Sequence, residues 1–152
     1  GNLSAVLSNH FAAAGLKPFV MQLLIYPGTD HGVETESRRQ LQEGVTLDRK
    51  VLEYFYEGYL GGLDVDMDDP RLSPAKARSF EGVAPAHIVT AQYDPLRDEG
   101  RDYGERLKAA GVEVSYKCYQ GLMHGFVCQT GVVTSAKNAV DDMASVLAQA
   151  FK

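Results

Sequence analysis

The chain opens with an apolar set at helical spacing. Leu3, Val6, Leu7, Phe11 and Ala14 fall on one stripe of a 3.6-residue period. That spacing predicts a helix over residues 3–14, stopped by Gly15 and followed by Pro18. The pattern then changes. Residues 19–26 are almost continuously apolar, broken only by Gln22, and Pro27-Gly28 closes the run. A run of that length predicts a buried strand. Residues 29–44 are polar, charged and without a period, and read as a loop. Thr46 or Asp48 can cap a helix running to about residue 60, with Val51, Leu52, Phe55 and Tyr59 inward and Gly61-Gly62 at its end.

Residues 63–79 form an acidic loop containing proline. Residues 86–92 repeat the pattern of a buried strand. Residues 95–110 predict a helix with Leu96, Tyr103 and Leu107 on one side, stopped by Gly111. From 112 to 119 the residues alternate, with Val112, Val114, Tyr116 and Cys118 sharing a face, which predicts a third strand. Residues 133–151 carry Val133, Val140, Met143, Val146, Leu147 and Phe151 at helical spacing. Strands alternating with helices predict right-handed βαβ units and a parallel sheet. Three strands are few for a sheet that must be covered on both faces. The first helix also has no strand before it. Both features imply that the sheet continues in residues preceding this chain.

Composition narrows the class. The 152 residues fit one domain, and 45% hydrophobic with 23% charged is the balance of a globular protein. No apolar run approaches the ~18 residues that span a bilayer. The 15 basic and 20 acidic residues leave a charge of −5 with no basic face, a poor match to nucleic acid or an anionic membrane. Cys118 and Cys128 make no disulfide framework and read as reduced, partly buried thiols of a cytoplasmic protein. The four histidines are scattered, with no CxxC or HExxH, so no metal site is expected. The chain starts Gly1-Asn2-Leu3-Ser4, without Met or a basic leader, and reads as a piece of something longer.

In open parallel sheets the sites lie at the carboxyl ends of the strands. Two short segments fall there: 93–100 after the second strand and 121–126 after the third. Asp94 and His124 in those segments can form an orienter–base pair. The aspartate holds one imidazole nitrogen while the other takes a proton from a nucleophile. Each residue also has a plainer reading. Asp94 can be a helix cap before Pro95, and His124 a turn residue. Their order along the chain favours catalysis, because α/β-hydrolases run Ser, then Asp or Glu, then His.

These motifs resemble those of the hormone-sensitive lipase family of α/β-hydrolase carboxylesterases (bacterial family IV). Gly1-Asn2-Leu3 matches the stretch following the family's G-D-S-A-G elbow, and Tyr26-Pro27 matches the end of a sheet strand. Residues 69–74, DPRLSP, match its D-P-R-x-S-P loop. Residues 94–100, DPLRDEG, match its acid motif, with Asp94 in the place of the catalytic aspartate. His124-Gly125-Phe126 matches its H-G-F motif, with His124 in the place of the catalytic histidine. The resemblance implies that residues 1–152 are the C-terminal part of an α/β-hydrolase catalytic domain, its sheet continuing in an N-terminal half. It implies a serine esterase that hydrolyses carboxylic esters, with short acyl chains favoured and no cofactor needed. The small-molecule ester and the N-terminal half of the same enzyme are then its partners. Dimers are common in the family, which leaves a homodimer open. The nucleophilic serine is expected about three residues before Gly1, and the oxyanion-hole segment further upstream. A non-catalytic small-molecule binder on this scaffold is one rival. A peptidase of the prolyl oligopeptidase type is another.

No serine within the chain fits the nucleophile's place. Ser4 and Ser8 lie on the first helix, Ser73 in a proline-bounded loop and Ser115 in a strand, none on a Gly-flanked turn. Residues 64–68, DVDMD, resemble the start of a calcium loop, but Asp69 stands where glycine is needed and Ala75 where the bidentate glutamate belongs. Asp30-His31 is expected to be loop, with lining of an acyl pocket as the alternative. His10 and His87 read as structural, and Asp98 and Glu99 as first-turn carboxylates suited to the helix dipole. Met123 and Phe126 are either cleft-bordering residues or ordinary core.

Overall fold

A computed structural model describes residues 1–152. Three strands, β1 (Gln22–Ile25), β2 (Ala86–Tyr93) and β3 (Val114–Met123), form one sheet in the order β1-β2-β3, with both pairings parallel. The helices are α1 (Asn2–Ala13), α2 (Glu36–Gln40), α3 (Arg49–Leu60), α4 (Arg97–Ala109) and α5 (Thr134–Ala150), and two 3₁₀ turns lie at Pro74–Lys76 and Phe126–Gln129.

The sheet is covered on both faces, as its nearly continuous apolar strands require. On one face Leu24 and Ile88 pack with Ala5 of α1 and with Tyr103 and Leu107 of α4. On the other, Val89, Ala91 and Tyr119 pack with Phe126 and with Ala136, Ala139 and Met143 of α5. Two glycines bring α4 close to the sheet. A Cβ on Gly100 would lie 3.0 Å from Thr90 Cγ2, and one on Gly104 would lie 3.2 Å from Ile88 Cδ1.

The elements depart from the sequence expectations at several points. The first strand is shorter than 19–26. Its ladder starts where Gln22 meets Ala86, the first residue of β2, so residues 19–21 have nothing to pair with, and Phe19 and Val20 are exposed. The expected stripe of α1 is not its buried face. Leu3 and Leu7 are exposed, while Ala5, Ser8 and Asn9 are buried. Small residues let α1 approach closely there, and Asn9 bridges the Tyr103 hydroxyl at 3.0 Å and the Pro74 carbonyl at 3.0 Å. Helix α2 lies inside the expected loop, begun by the Thr35 hydroxyl accepting from the Arg38 amide. Its five residues are too few to show a period. In α3, Asp48 is the cap, accepting from Val51 N–H at 3.0 Å. Val51 and Leu52 turn inward together with Tyr56, whereas Phe55 and Tyr59 are exposed. Cys118 and Cys128 are both unpaired, and Cys128 is exposed rather than partly buried. No helix is long and apolar enough to cross a membrane.

Strand β3 runs four residues past its expected end because its pairing slips. Ala91 pairs with Tyr119, but Tyr93 pairs with Met123, so β3 takes in two extra residues over one short step of β2. Gly121 adopts φ 75° in that bulge, a conformation open to glycine. Its N–H is held by the Gln92 side chain at 2.8 Å.

Candidate active site

The slip sets the height of His124 against Asp94. Both residues follow directly on the carboxyl ends of their strands, and His124 Nδ1 lies 2.7 Å from Asp94 Oδ2. A carboxylate only accepts, so Nδ1 carries the proton and donates it, and Nε2 is left to exchange a proton with a reacting group. Asp94 is completely buried, and His124 keeps about a quarter of its side chain exposed. Both of the residues expected to carry chemistry are therefore brought together. The plainer reading of Asp94 as the cap of α4 gives way to a different one: α4 begins at Arg97 behind Leu96 and has no side-chain cap, while Asp94 Oδ1 accepts from Leu96 N–H at 2.8 Å in the turn that leads into it.

Beside His124 opens a cleft of about 510 Å³, lined on its apolar side by Leu47, Val51, Leu52, Phe55 and Leu96. The Thr46 hydroxyl donates to the His124 carbonyl at 2.8 Å, tying the approach to α3 to the histidine loop. Phe126 is fully buried and belongs to the core. Met123 is half-buried.

Asp98 and Glu99 do more than complement the dipole of α4, because both are buried and bonded to other parts of the chain. Asp98 accepts from Ser37 N–H at 2.7 Å and so holds α2. Glu99 accepts from Thr29 N–H at 2.8 Å and from Arg38 Nε and Nη2 at 2.9 and 2.6 Å. Burial pushes its carboxyl up to about 7, with Arg38 pulling the other way. Arg38 also donates to the Tyr56 hydroxyl at 3.1 Å, and that hydroxyl lies 2.8 Å from His31 Nδ1. Burial, then the Arg38 charge, pulls His31 down to about 4. The Asn2 side-chain amide donates to the Gly28 and Leu72 carbonyls at 2.8 and 2.7 Å and lies 3.3 Å from His31 Nε2. Asp30 and His31 are thus loop residues within a polar network and line no part of the His124 cleft. Arg38 and Tyr56 had no signal in the sequence, since a long-range network has no period and no fixed spacing.

His87 is buried in β2 with Nδ1 2.6 Å from the Ser115 hydroxyl, whereas His10 is exposed on α1. The Ser73 hydroxyl donates to the Met67 carbonyl at 2.6 Å and accepts from His31 N–H. Neither these serines nor Ser4 and Ser8 hydrogen-bond His124. No group of three or more His, Cys, Asp or Glu side chains gathers to hold a metal ion.

A family model described as the alpha/beta hydrolase fold matches residues 1–128, and the chain belongs to that family. Within it the chain sits in the hormone-sensitive lipase branch, alongside carboxylesterases. It is 42% identical over 131 residues to the carboxylic ester hydrolase LipN of Mycobacterium tuberculosis, covering 84% of this chain and 35% of the relative. It is 32% identical over 150 residues to an ethyl acetate hydrolase of Pseudomonas putida, covering 98% and 47%. An α/β-hydrolase enzyme from the metagenome of Lake Arreo, Spain, superposes with a TM-score of 0.92 at 41% identity over 97% of this chain and 46% of that one. The thermostable carboxylesterase EstE1, cloned from a metagenomic library, gives 0.89 at 33% identity over 99% and 52%. The chain spans about half the length, or less, of the relatives it matches.

Proposed function

We propose that the complete protein is a carboxylic ester hydrolase in which Asp94 and His124 are the acid and base of a Ser-His-Asp triad, the serine lying upstream of Gly1. The carrying observation is the 2.7 Å contact of His124 Nδ1 with the buried Asp94, at the carboxyl ends of adjacent parallel strands. In this reading the serine hydroxyl attacks the ester carbonyl as His124 Nε2 takes its proton. His124 then returns the proton to the departing alkoxide, and water repeats the cycle to free the acid. Asp94 holds the tautomer and stabilises the imidazolium. Upstream backbone amides stabilise the oxyanion. Residues 1–152 act as the C-terminal part of one catalytic domain, completed by an N-terminal half. Homodimerisation and a cytoplasmic location remain part of this reading.

The apolar cleft beside His124 supports an uncharged ester as substrate, and we assign the preference to short acyl chains. The test uses the complete enzyme and p-nitrophenyl esters. His124→Ala is expected to lower kcat by about three orders of magnitude or more. A loss below tenfold would reject the assignment. Greater kcat/KM on the palmitate than on the butyrate would reject the short-chain preference.

A further inference from the structure

Tyr26 is the single non-glycine residue with a left-handed backbone, at φ 37°. A bulky aromatic residue in that region is an outlier, and the proline that follows narrows its choices further. Such strain persists only where the surroundings impose it, and it gathers at functional sites. Here the surroundings are close on both sides. Tyr26 N–H donates to the Val89 carbonyl at 2.7 Å, so the parallel ladder runs up to the twist. Immediately beyond, Pro27 is pressed against the start of α1, where a Cβ on Gly1 would lie 2.9 Å from it. Between these two anchors the Tyr26 ring meets the His124 imidazole, centroid to centroid at 4.3 Å and tilted by 50°. Its other neighbour is Phe126, edge-on at 5.4 Å and 82°. Phe126 is fully buried, so the tyrosine ring is backed by rigid core.

Asp94 holds the imidazole at one atom only. A ring held at Nδ1 can still pivot about that bond, and the terminal torsion of histidine is broad. An aromatic face packed against the imidazole removes this freedom. We propose that Tyr26 is a positioning residue for His124: its strained backbone turns the phenol ring against the imidazole and so fixes the direction in which Nε2 points. The inference rests on reading Asp94 and His124 as the reacting pair. It assigns the effect to the flat ring and gives the hydroxyl no part.

The experiment compares Tyr26→Phe, Tyr26→Leu and Tyr26→Gly in the complete enzyme with p-nitrophenyl butyrate. Tyr26→Phe keeps the ring, and its kcat is expected within about twofold of the parent. Tyr26→Leu keeps bulk without a flat face, and Tyr26→Gly relaxes the backbone without a ring. Both are expected to lose kcat by about ten- to a hundredfold with KM changed less than threefold, the scale of a misaimed catalytic group. Tyr26→Gly is further expected to melt no lower than Tyr26→Leu, because glycine accepts the positive φ. A folded Leu or Gly variant with kcat within threefold of the parent overturns the proposal. So does a Phe variant that falls as far as Leu. Should the Leu and Gly variants fail to fold, the parent protein decides. Its His124 ring protons, observed by NMR with labelled histidine, are expected upfield from the tyrosine ring current, and an unshifted signal overturns the proposal. Near-parent activity of His124→Ala would instead reject the triad itself. Dependence on His124 with indifference to Tyr26 would reject only the inference made here.

Discussion

Asp94 divides its carboxylate between two neighbours, the Leu96 amide at Oδ1 and the His124 imidazole at Oδ2. Substitutions can separate the two. Asp94→Asn keeps an oxygen for the amide and loses the charge facing the imidazole. It is expected to lower kcat by about 10⁴ with little change in melting temperature. Asp94→Ala is expected to lose similar activity and a further ~1 kcal/mol of stability in urea unfolding, from the lost bond to the Leu96 amide in the turn before α4. Equal stability of the two variants would show that the Leu96 contact contributes nothing. Glu99 and His31 make a second pair of expectations. Glu99, raised to about 7 by burial, keeps its proton in the fold beyond its ordinary 4.5. Its contribution to stability is complete below about pH 4.5 and is lost as pH rises to about 7. His31, lowered to about 4, does the reverse: its contribution is complete above about pH 6.5 and is lost as pH falls to about 4. The slopes oppose each other between about pH 4.5 and 6.5. Glu99→Gln removes one of them, so the variant's stability is expected to climb more steeply with pH than the parent's across that window. Urea titrations at several pH values check this, and a shallower climb rejects it. Asp94 and His124 were legible in the sequence because strand ends and residue order are local facts. The network around Glu99 was not, because Arg38 reaches it from 61 residues away and is met in turn by Tyr56 of another helix.

Helix α3 shows how an element can form without a buried face. It has a side-chain cap in Asp48, and none of its residues is fully buried. Its inward anchors are half-buried Val51, Leu52 and Tyr56, the last held by Arg38 and His31. Such an element opens at low free energy. Amides over Arg49–Leu60 are expected to exchange with solvent far faster than those of β2, and Tyr56→Phe is expected to speed α3 further without affecting β2. Equal acceleration in β2 would mean that α3 belongs to the global folding unit. The position of α3 was readable from its cap and its glycine stop, but its orientation was not. Half of the expected stripe, Phe55 and Tyr59, is exposed, and the polar Tyr56 is turned in. The same holds for α1, where Leu3 and Leu7 face outward and the small residues face the sheet. Periodicity reports which residues are apolar, while packing distance decides which side is buried. A close approach favours alanine, serine and asparagine over leucine.

Across the whole molecule, β1 pairs on one side only, with β2, and the large apolar residues Leu3, Leu7, Leu16, Phe19 and Val20 are exposed around it and α1. A free hydrophobic edge invites association. Residues 1–152 expressed alone are therefore expected to show no cooperative urea transition as a monomer, and a sharp, reversible one would contradict this. The parallel order of the sheet was legible because strands and helices alternate. The slip between β2 and β3 was not, since the only trace of it is a glycine at 121. That slip has a consequence for insertions and deletions. Gly121 separates the part of β3 that carries Tyr116 and Tyr119 from the short part, Leu122 and Met123, that leads to His124. Removing Ser115 would exchange the faces of Tyr116 and Tyr119, which serve opposite sides of the sheet, and disrupt both cores. Removing Gln120 or Gly121 would leave those faces in place, disturb Leu122 alone among the core residues of β3, and draw His124 back by about 3.3 Å, one strand residue. The first change would disrupt both faces of the sheet and the second chiefly the placing of His124 against Asp94, so length variation among descendants of this chain can retune that pair while most of the sheet is inherited intact.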